Sequence, residues 1–271
     1  MNSNSAVNAW PLATQCYGSQ ILMDEVNVRT ISMVGKVMSA LLLLAAGHVG
    51  MANAGVGLGA TRVIYPADQK QVTLGVSNND EKSTYLIQSW VENADGQKDG
   101  RLIITPPLYL MQGKKENTLR IIDATNQSLP KDRESLFWVN VKAIPSLDKS
   151  RQDENTLQLA ITSRIKLFYR PNGLSIAPDK APEQLRFKRS GKELTIVNPT
   201  PYFITLSELN AGTRQLANTM VSPMGSTNVA LPADAGSTIS YRTIKRLRCP
   251  NAGIQGCDAV RPGAATHFIK L

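Results

Sequence analysis

Histidine and cysteine are missing from the long central stretch of this chain, Gly55–Ile244. The two histidines and three cysteines of the 271 residues all lie outside it: His48, His267, Cys16, Cys249 and Cys257. Catalytic dyads and triads built on histidine or cysteine, and zinc sites with imidazole or thiolate ligands, therefore have no residues to use there. Most familiar classes of enzyme are therefore excluded, and we expect no metal site and no cofactor.

Aromatic residues are also scarce, at 6% of the chain, and the 15 prolines and 19 glycines are spread along it. This composition argues against collagen, coiled coil and low-complexity disorder. With 42% hydrophobic and 19% charged residues, the chain has the means to bury a core. At roughly 150 residues per domain, its length favours two domains.

The excess of positive charge is unevenly placed. The whole chain has a net charge of +9, whereas Gly55–Ile244 has 23 basic and 18 acidic residues, a net charge of +5. The last 27 residues carry five basic residues and one acidic residue. Because much of the excess lies in this short tail, and because aromatic side chains do not alternate with basic runs, we expect no nucleic-acid binding.

The residues before Gly55 indicate an export signal. Lys36 precedes the apolar segment 37–46, and Ala52-Asn53-Ala54 supplies the small residues that signal peptidase accepts. The apolar segment is well short of the ~20 residues that span a bilayer as a helix. We therefore expect a signal peptide at 33–54, cleaved after Ala54, and no stable membrane insertion. Residues 1–32 are expected to be unstructured or a mis-assigned start.

From residue 55 onward, short runs of alternating apolar and polar residues are separated by turn residues. Leu74 and Val76 belong to one such run, and later runs show the same period of two. Such alternation is typical of antiparallel sheets with one face in a core. A proline-rich connection separates two series of runs. The sequence therefore predicts an all-β protein with two immunoglobulin-like β-sandwich domains, 55–174 and 183–250, joined by a linker at 175–182.

One predicted strand is unusually long. Apart from Ser163, the odd-numbered positions of 157–169 are apolar: Leu157, Leu159, Ile161, Ile165, Leu167 and Tyr169. A typical strand has about five or six residues, so this one is expected to extend beyond the core of its domain. An exposed apolar stripe on a strand edge favours strand addition to another chain. A long strand covered by its own sheets is the alternative.

The segment Leu129–Pro145 resembles the signature of the periplasmic pilus chaperones. It reads LPKDRESLFWVNVKAIP. Three shorter segments resemble the same family in the expected order: Gly59–Tyr65, Thr105–Leu108 and Asn198–Tyr202. The resemblance covers essentially the whole chain between residues 55 and 244.

This resemblance implies a boomerang of two immunoglobulin-like domains that binds its partners without catalysis. Members of the family hold pilin and adhesin subunits in the periplasm and complete the fold of each subunit with a strand of their own. They then deliver the subunit to an outer-membrane usher for pilus (fimbria) assembly, without ATP. The implied function of this chain is therefore that of a periplasmic chaperone for fimbrial subunits, with 55–174 as the pilin-binding domain.

The residues that bind pilins in this family match particular positions here. Arg62 and Lys166 match two cations that grip the C-terminal carboxylate of the pilin. A guanidinium and an ammonium suit a carboxylate because charge-assisted hydrogen bonds are the stronger ones. Leu157, Leu159 and Ile161 match the donor-strand positions that fill the groove of an incomplete pilin.

Glu134 and Arg170 match two members of an interdomain salt-bridge network of the family. The third member, an aspartate, is replaced by Arg246, because the chain departs from the family at this point. One inserted nucleotide would convert the family's Asn-Asp-Tyr-Gly-Ala continuation into the observed Lys245–Cys249. The hypothesis is therefore a frameshift, which makes 251–271 an aberrant tail.

Three alternatives stay open at this point. A secreted pilin-like or adhesin-like structural subunit would share the β-sandwich character, but such subunits usually carry a cysteine pair, which residues 55–244 lack. An exported carboxylate-based hydrolase would need two acidic groups at a set separation, and no spacing in the sequence singles out such a pair. An inactive, frameshifted chaperone product is the third.

Overall fold

Nearly all of the regular secondary structure that the structure describes consists of β-strands. The computed structural model describes residues 55–146, 157–244 and 266–270. The expected signal peptide and the residues before it lie outside these ranges, as do Arg246 and most of the expected tail. The helical structure in the described ranges is one 3-10 turn, Ala181–Gln184. No helix there has the length and apolar character needed to cross a membrane.

The first sandwich has nine strands among the described residues. They are β1 (Val56–Leu58), β2 (Arg62–Pro66), β3 (Gln71–Asn78), β4 (Tyr85–Asn93), β5 (Leu102–Thr105), β6 (Leu108–Met111), β7 (Glu116–Asp123), β8 (Ser135–Pro145) and β9 (Ile161–Arg170). One sheet has the order β1-β3-β7-β5, and the other has the order β2-β9-β8-β4-β6. Strands β2 and β9 run parallel, whereas the other neighbours are antiparallel.

The alternation seen in the sequence builds the core between these two sheets. In β3, Leu74 and Val76 are buried, whereas Gly75 between them faces solvent. Val139 and Val141 of β8 enter the same core from the opposite sheet. Full burial of such a side chain contributes roughly 1.5 to 3 kcal/mol, so the period of two determines which face of each strand packs inward.

The long strand starts later than the sequence pattern predicts. β9 begins at Ile161, so Leu157 and Leu159 precede it, and the expectation of a strand from residue 157 is wrong in its first four positions. The ladder between β8 and β9 ends at the pair Ala143–Ile161. Two residues further, β8 ends at Pro145, which has no N–H group to continue the ladder.

The second sandwich also consists of two sheets. Its strands among the described residues are β10 (Arg186–Ser190), β11 (Glu193–Asn198), β12 (Ile204–Ala211), β13 (Arg214–Gln215), β14 (Thr219–Val221), β15 (Gly225–Ala230), β16 (Thr238–Thr243) and β17 (His267–Lys270). The sheet orders are β10-β11-β15 and β13-β12-β16-β17, with β14 also paired to β12. Leu194, Ile196 and Leu206 are fully buried between the two sheets.

The last described strand comes from the segment that we expected to be an aberrant tail. β17 pairs antiparallel with β16, with Ile269 opposite Ile239 and His267 opposite Tyr241. Ile269 packs against the core of the second sandwich, and the imidazole of His267 stacks on the ring of Tyr241 with centroids 5.0 Å apart. Part of the tail therefore extends the second sandwich by one strand. The boundaries proposed for the domains stay predictions.

Candidate functional site

The two cations expected to hold a carboxylate are neighbours in the structure. Parallel pairing of β2 with β9 places Arg62 directly opposite Lys166, and both side chains are half-buried on the outer face of the sheet. The ammonium of Lys166 lies 3.3 Å from Met220 Sδ of β14, in the second sandwich. The pair therefore concentrates two positive charges where the first sandwich meets the second.

The apolar residues expected to form a donor strand are exposed. Leu157 is 85% exposed, and Leu159 and Ile161 are each 68% exposed. They lead into an open strand edge, because β2 pairs with β9 only from Lys166 onward. Within the described part of the chain, no strand pairs with residues 161–165 on the side opposite β8. An exposed apolar stripe thus runs along an unpaired edge toward Lys166.

A buried ion pair at the opposite end of β9 links the two sandwiches. Arg170 Nε and Nη2 each lie 2.9 Å from Oε1 of Glu134, whose side chain is fully buried. Oε2 of Glu134 accepts a hydrogen bond from the backbone N–H of Phe203 at 2.9 Å, and the Glu134 N–H donates to the carbonyl of Pro201 at 2.9 Å. The guanidinium of Arg170 also lies 5.2 Å from the ring centre of Tyr202. Two residues of the first sandwich thereby hold a loop of the second.

A cluster of residues that no sequence pattern indicated lies on the outer face of the same sheet. The guanidinium of Arg164 lies 4.2 Å from the ring centre of Trp138 and donates to Oε2 of Glu92 at 2.8 Å. The indole N–H of Trp90 donates to Oε1 of Glu92 at 2.8 Å. This hydrogen bond is the main cause that lowers the pKa of Glu92 below its ordinary value; burial opposes it, and Asn140 and Arg164 lower the pKa further by smaller amounts.

The arrangement is suited to binding an extended chain. The open edge can form backbone hydrogen bonds with another strand, and the exposed apolar side chains can enter a groove in that partner. Arg62 and Lys166 can hold an anion at one end. Among the residues that the structure describes, no group of three histidine, cysteine, aspartate or glutamate side chains is placed to hold a metal ion.

Comparison with protein families identifies both sandwiches. Residues 55–175 match the model described as pili and flagellar-assembly chaperone, PapD N-terminal domain. Residues 180–246 match the model of the pili assembly chaperone PapD, C-terminal domain. The chain belongs to the PapD family of pilus assembly chaperones.

Individual relatives of this pilus chaperone agree with the family assignment. The chain is 66% identical over 222 residues to the chaperone protein FimC of Escherichia coli strain K12, which covers 81% of this chain and 92% of FimC. It is 62% identical over 198 residues to the chaperone protein FocC of Escherichia coli, which covers 73% of this chain and 87% of FocC.

Solved structures show the same fold. The periplasmic chaperone SfaE matches with a TM-score of 0.63 and 61% identity, over 70% of this chain and 93% of SfaE. The Salmonella enterica SafB chaperone, solved in complex with the SafA pilin, matches with a TM-score of 0.67 and 29% identity, over 80% of this chain and 96% of that chain.

These matches confirm the resemblance read from the sequence, the two-domain all-β fold and the role in pilus assembly. The matched families and relatives are chaperones, so a pilin-like or adhesin-like structural subunit is not favoured. The roles expected for the individual site residues stay predictions.

Proposed function

We propose that this chaperone captures pilin and adhesin subunits in the periplasm by lending them a strand, and then delivers them to an outer-membrane usher. The observation that carries the proposal is the open edge of β9. It is preceded by the exposed Leu157 and Leu159, and it ends at Arg62 and Lys166. Periplasmic location rests on the expected signal peptide and is supported by the relationship to the periplasmic chaperone SfaE.

Strand lending explains why large apolar side chains stay exposed on a folded chaperone. Leu157, Leu159 and Ile161 occupy alternate positions, so all three can enter one groove of a partner while the backbones pair. Each buried side chain contributes roughly 1.5 to 3 kcal/mol by transfer from water. The chaperone would thereby cover an apolar groove in an incomplete subunit. The related SafB chaperone, which was solved in complex with a pilin, supports this type of partner.

The cation pair would determine where the captured strand ends. A terminal carboxylate placed between Arg62 and Lys166 would receive charge-assisted hydrogen bonds from both side chains. Backbone pairing does not depend on which side chains are present and so does not fix the register of the two strands. Anchoring the terminus of the captured strand would fix this register. Binding of this kind requires no chemical step, and we propose that the chaperone is not an enzyme. Release would follow when a strand from another subunit replaces the lent one, without ATP.

Coexpression with a pilin subunit in the periplasm tests the proposal. The wild-type chain should copurify with the subunit as a stoichiometric complex, identified by intact mass. Arg62→Ala, Lys166→Ala and Leu159→Ser should each lose most of the copurifying subunit while the chaperone remains folded. Leu108→Ser is the matched control, since Leu108 of β6 is an exposed leucine away from β9.

Two outcomes would contradict the proposal. Normal capture by both Arg62→Ala and Lys166→Ala would show that these residues do not hold the terminal carboxylate. Normal capture by Leu159→Ser would show that the chaperone does not lend this strand to the subunit. If the wild-type chain were soluble but captured no subunit, the inactive chaperone product considered from the sequence would be favoured. Recovery of capture after the family's Asn-Asp-Tyr-Gly continuation is restored would then identify the tail as the cause.

A further inference from the structure

The outer face of β9 carries two cations at alternate positions, Arg164 and Lys166. Their backbone positions are about 6.6 Å apart, because a strand rises ~3.3 Å per residue. Under the proposed function, on which this inference rests, a captured strand lies along residues 161–165 and ends with its carboxylate at Lys166 and Arg62. A carboxylate held at Arg164 would give the same complex with the captured strand displaced by two residues.

The apolar pattern does not prevent the captured strand from pairing two residues out of register. A shift of one residue moves every apolar side chain to the opposite face, whereas a shift of two restores the original face. The backbone would still pair, and Leu159 and Ile161 would still meet apolar positions. A second accessible cation would even stabilise the shifted complex. A unique register therefore requires that Arg164 be kept from the carboxylate.

In the structure, Arg164 points away from the open edge. Its guanidinium extends past β8 to β4, where Nη2 lies 2.8 Å from Oε2 of Glu92. The ring of Trp138 of β8 lies beneath it, with its centre 4.2 Å from the guanidinium carbon. Because neighbouring strands are ~4.8 Å apart, this ion pair lies well inside the sheet and not at its edge. Gly96, in the turn after β4, lies close to Arg164: a Cβ atom added to this glycine would be 3.5 Å from Nη2 of Arg164.

The acceptor in this pair is itself fixed. Oε1 of Glu92 receives the indole N–H of Trp90, which leaves Oε2 for Arg164. Because its pKa is lowered, the carboxylate of Glu92 stays ionised at a lower pH than that of an ordinary glutamate. The pair with Arg164 therefore persists in mildly acidic medium.

We propose that Glu92 sets the register of subunit capture by holding Arg164 over Trp138, away from the terminal carboxylate of the captured strand. A carboxylate that approached Arg164 would meet the negative charge of Glu92. At Lys166 it would instead meet the positive charge of Arg62, which is directly opposite. Glu92 is a positioning residue in this scheme, because it acts through Arg164 and does not touch the captured strand.

Disulfide cross-linking can measure the register directly. Thr162 is exposed on the same face of β9, about four residues from Lys166 and about two from Arg164. The probe is a pilin subunit that copurifies with the wild-type chain and carries one added cysteine, placed either about four or about two residues before its C-terminus. The chaperone carries Thr162→Cys, with its three native cysteines replaced by serine. Directly opposite residues of paired strands are close enough to form a disulfide.

The two cysteine positions should report different registers. With Glu92 intact, we expect cross-linking from the position about four residues before the terminus. Glu92→Gln should increase cross-linking from the other position by about tenfold, because Arg164 becomes available to the carboxylate. Adding Arg164→Ala to Glu92→Gln should return the pattern to the original one. Asp234→Asn, which breaks an exposed pair with Arg214 in the second sandwich, is the matched control and should change nothing.

The outcomes separate this inference from the proposed function. An unchanged pattern in a Glu92→Gln variant that captures the subunit normally would overturn the inference. A shifted pattern that persists after Arg164→Ala would also overturn it, because the sheet itself would then be distorted. If Glu92→Gln does not accumulate, Trp90→Phe removes the hydrogen bond that orients Glu92 and should shift the pattern in the same direction. Failure of the wild-type chain to capture any subunit would instead refute the proposed function, and the inference with it.

Discussion

At the scale of single residues, burial decides which ion pairs matter for stability. Arg214 and Asp234 are both more than half exposed, and such pairs contribute little because water and salt screen them. Glu134 is fully buried and Arg170 is 8% exposed. Removing one partner of a buried pair leaves an uncompensated charge away from water, so the loss exceeds what the pair itself contributes.

We expect Arg170→Met to lower the free energy of unfolding by about 3 to 5 kcal/mol, because Glu134 would be left buried without its cation. The double variant Arg170→Met with Glu134→Leu should lose less than the single variant, since no buried charge remains. Urea denaturation of the purified chaperone measures both values, with Arg214→Met as a control that should show no measurable change. Equal losses in the single and double variants would contradict this explanation.

The alternation alone singled out Leu157, Leu159 and Ile161 as an exposed apolar stripe, whereas the charged site residues could be predicted only where a resemblance supplied their roles. Glu134 and Arg170 carry no pattern of their own, because Glu134 is the last of four consecutive charged residues and Arg170 is one charged residue at the end of a strand. Glu92 and Arg164 are 72 positions apart in sequence and meet only because β8 lies between β4 and β9. Periodicity describes one strand at a time, so it does not reveal a contact that depends on the order of three strands.

At the scale of strands, the period of two predicted where strands occur better than where they end. The predicted strand from residue 157 begins at Ile161, where its ladder with β8 ends at Ala143, and the alternation of residues 157–161 does not mark this boundary. β17 could not be predicted at all. Its four residues pair with β16 only after a connection of more than twenty residues, and nothing local distinguishes them from an unpaired tail.

The pairing of β17 predicts opposite effects at two adjacent positions. Ile269 packs against the core of the second sandwich, whereas Phe268 is 71% exposed on the other face of the strand. Ile269→Asp should therefore lower the thermal midpoint of unfolding, because it places a carboxylate against apolar side chains. Phe268→Asp is the matched control and should leave the midpoint nearly unchanged. Equal midpoints for the two variants would mean that β17 adds no stability in solution.

At the scale of the whole molecule, the chain builds two separate cores. The core of the first sandwich and the core of the second have no residue in common. The length of the chain and its two series of alternating runs were enough to predict this division. The contact of Lys166 with Met220 across it was not predictable, because it joins residues from different sheets.

Separate cores predict that damage to one sandwich leaves the other folded. Ile196 is fully buried in the second core, so Ile196→Ala should cost about 2 to 5 kcal/mol there. Two tryptophans, Trp90 and Trp138, lie in the first sandwich, and residues 175–271 contain none. In protein that begins at Gly55 and so lacks Trp10, tryptophan fluorescence therefore reports the first sandwich alone, whereas far-ultraviolet circular dichroism reports both.

In a urea titration of Ile196→Ala, the dichroism signal should begin to fall at a lower urea concentration than in the wild type. The fluorescence midpoint should stay where it was. Ile121→Ala, at an equally buried position of the first core, is the control and should move the fluorescence midpoint. Fluorescence and dichroism midpoints that shift together in Ile196→Ala would instead show one cooperative unit. In that case the contacts around Glu134 and Arg170 would couple the sandwiches more strongly than their separate cores suggest.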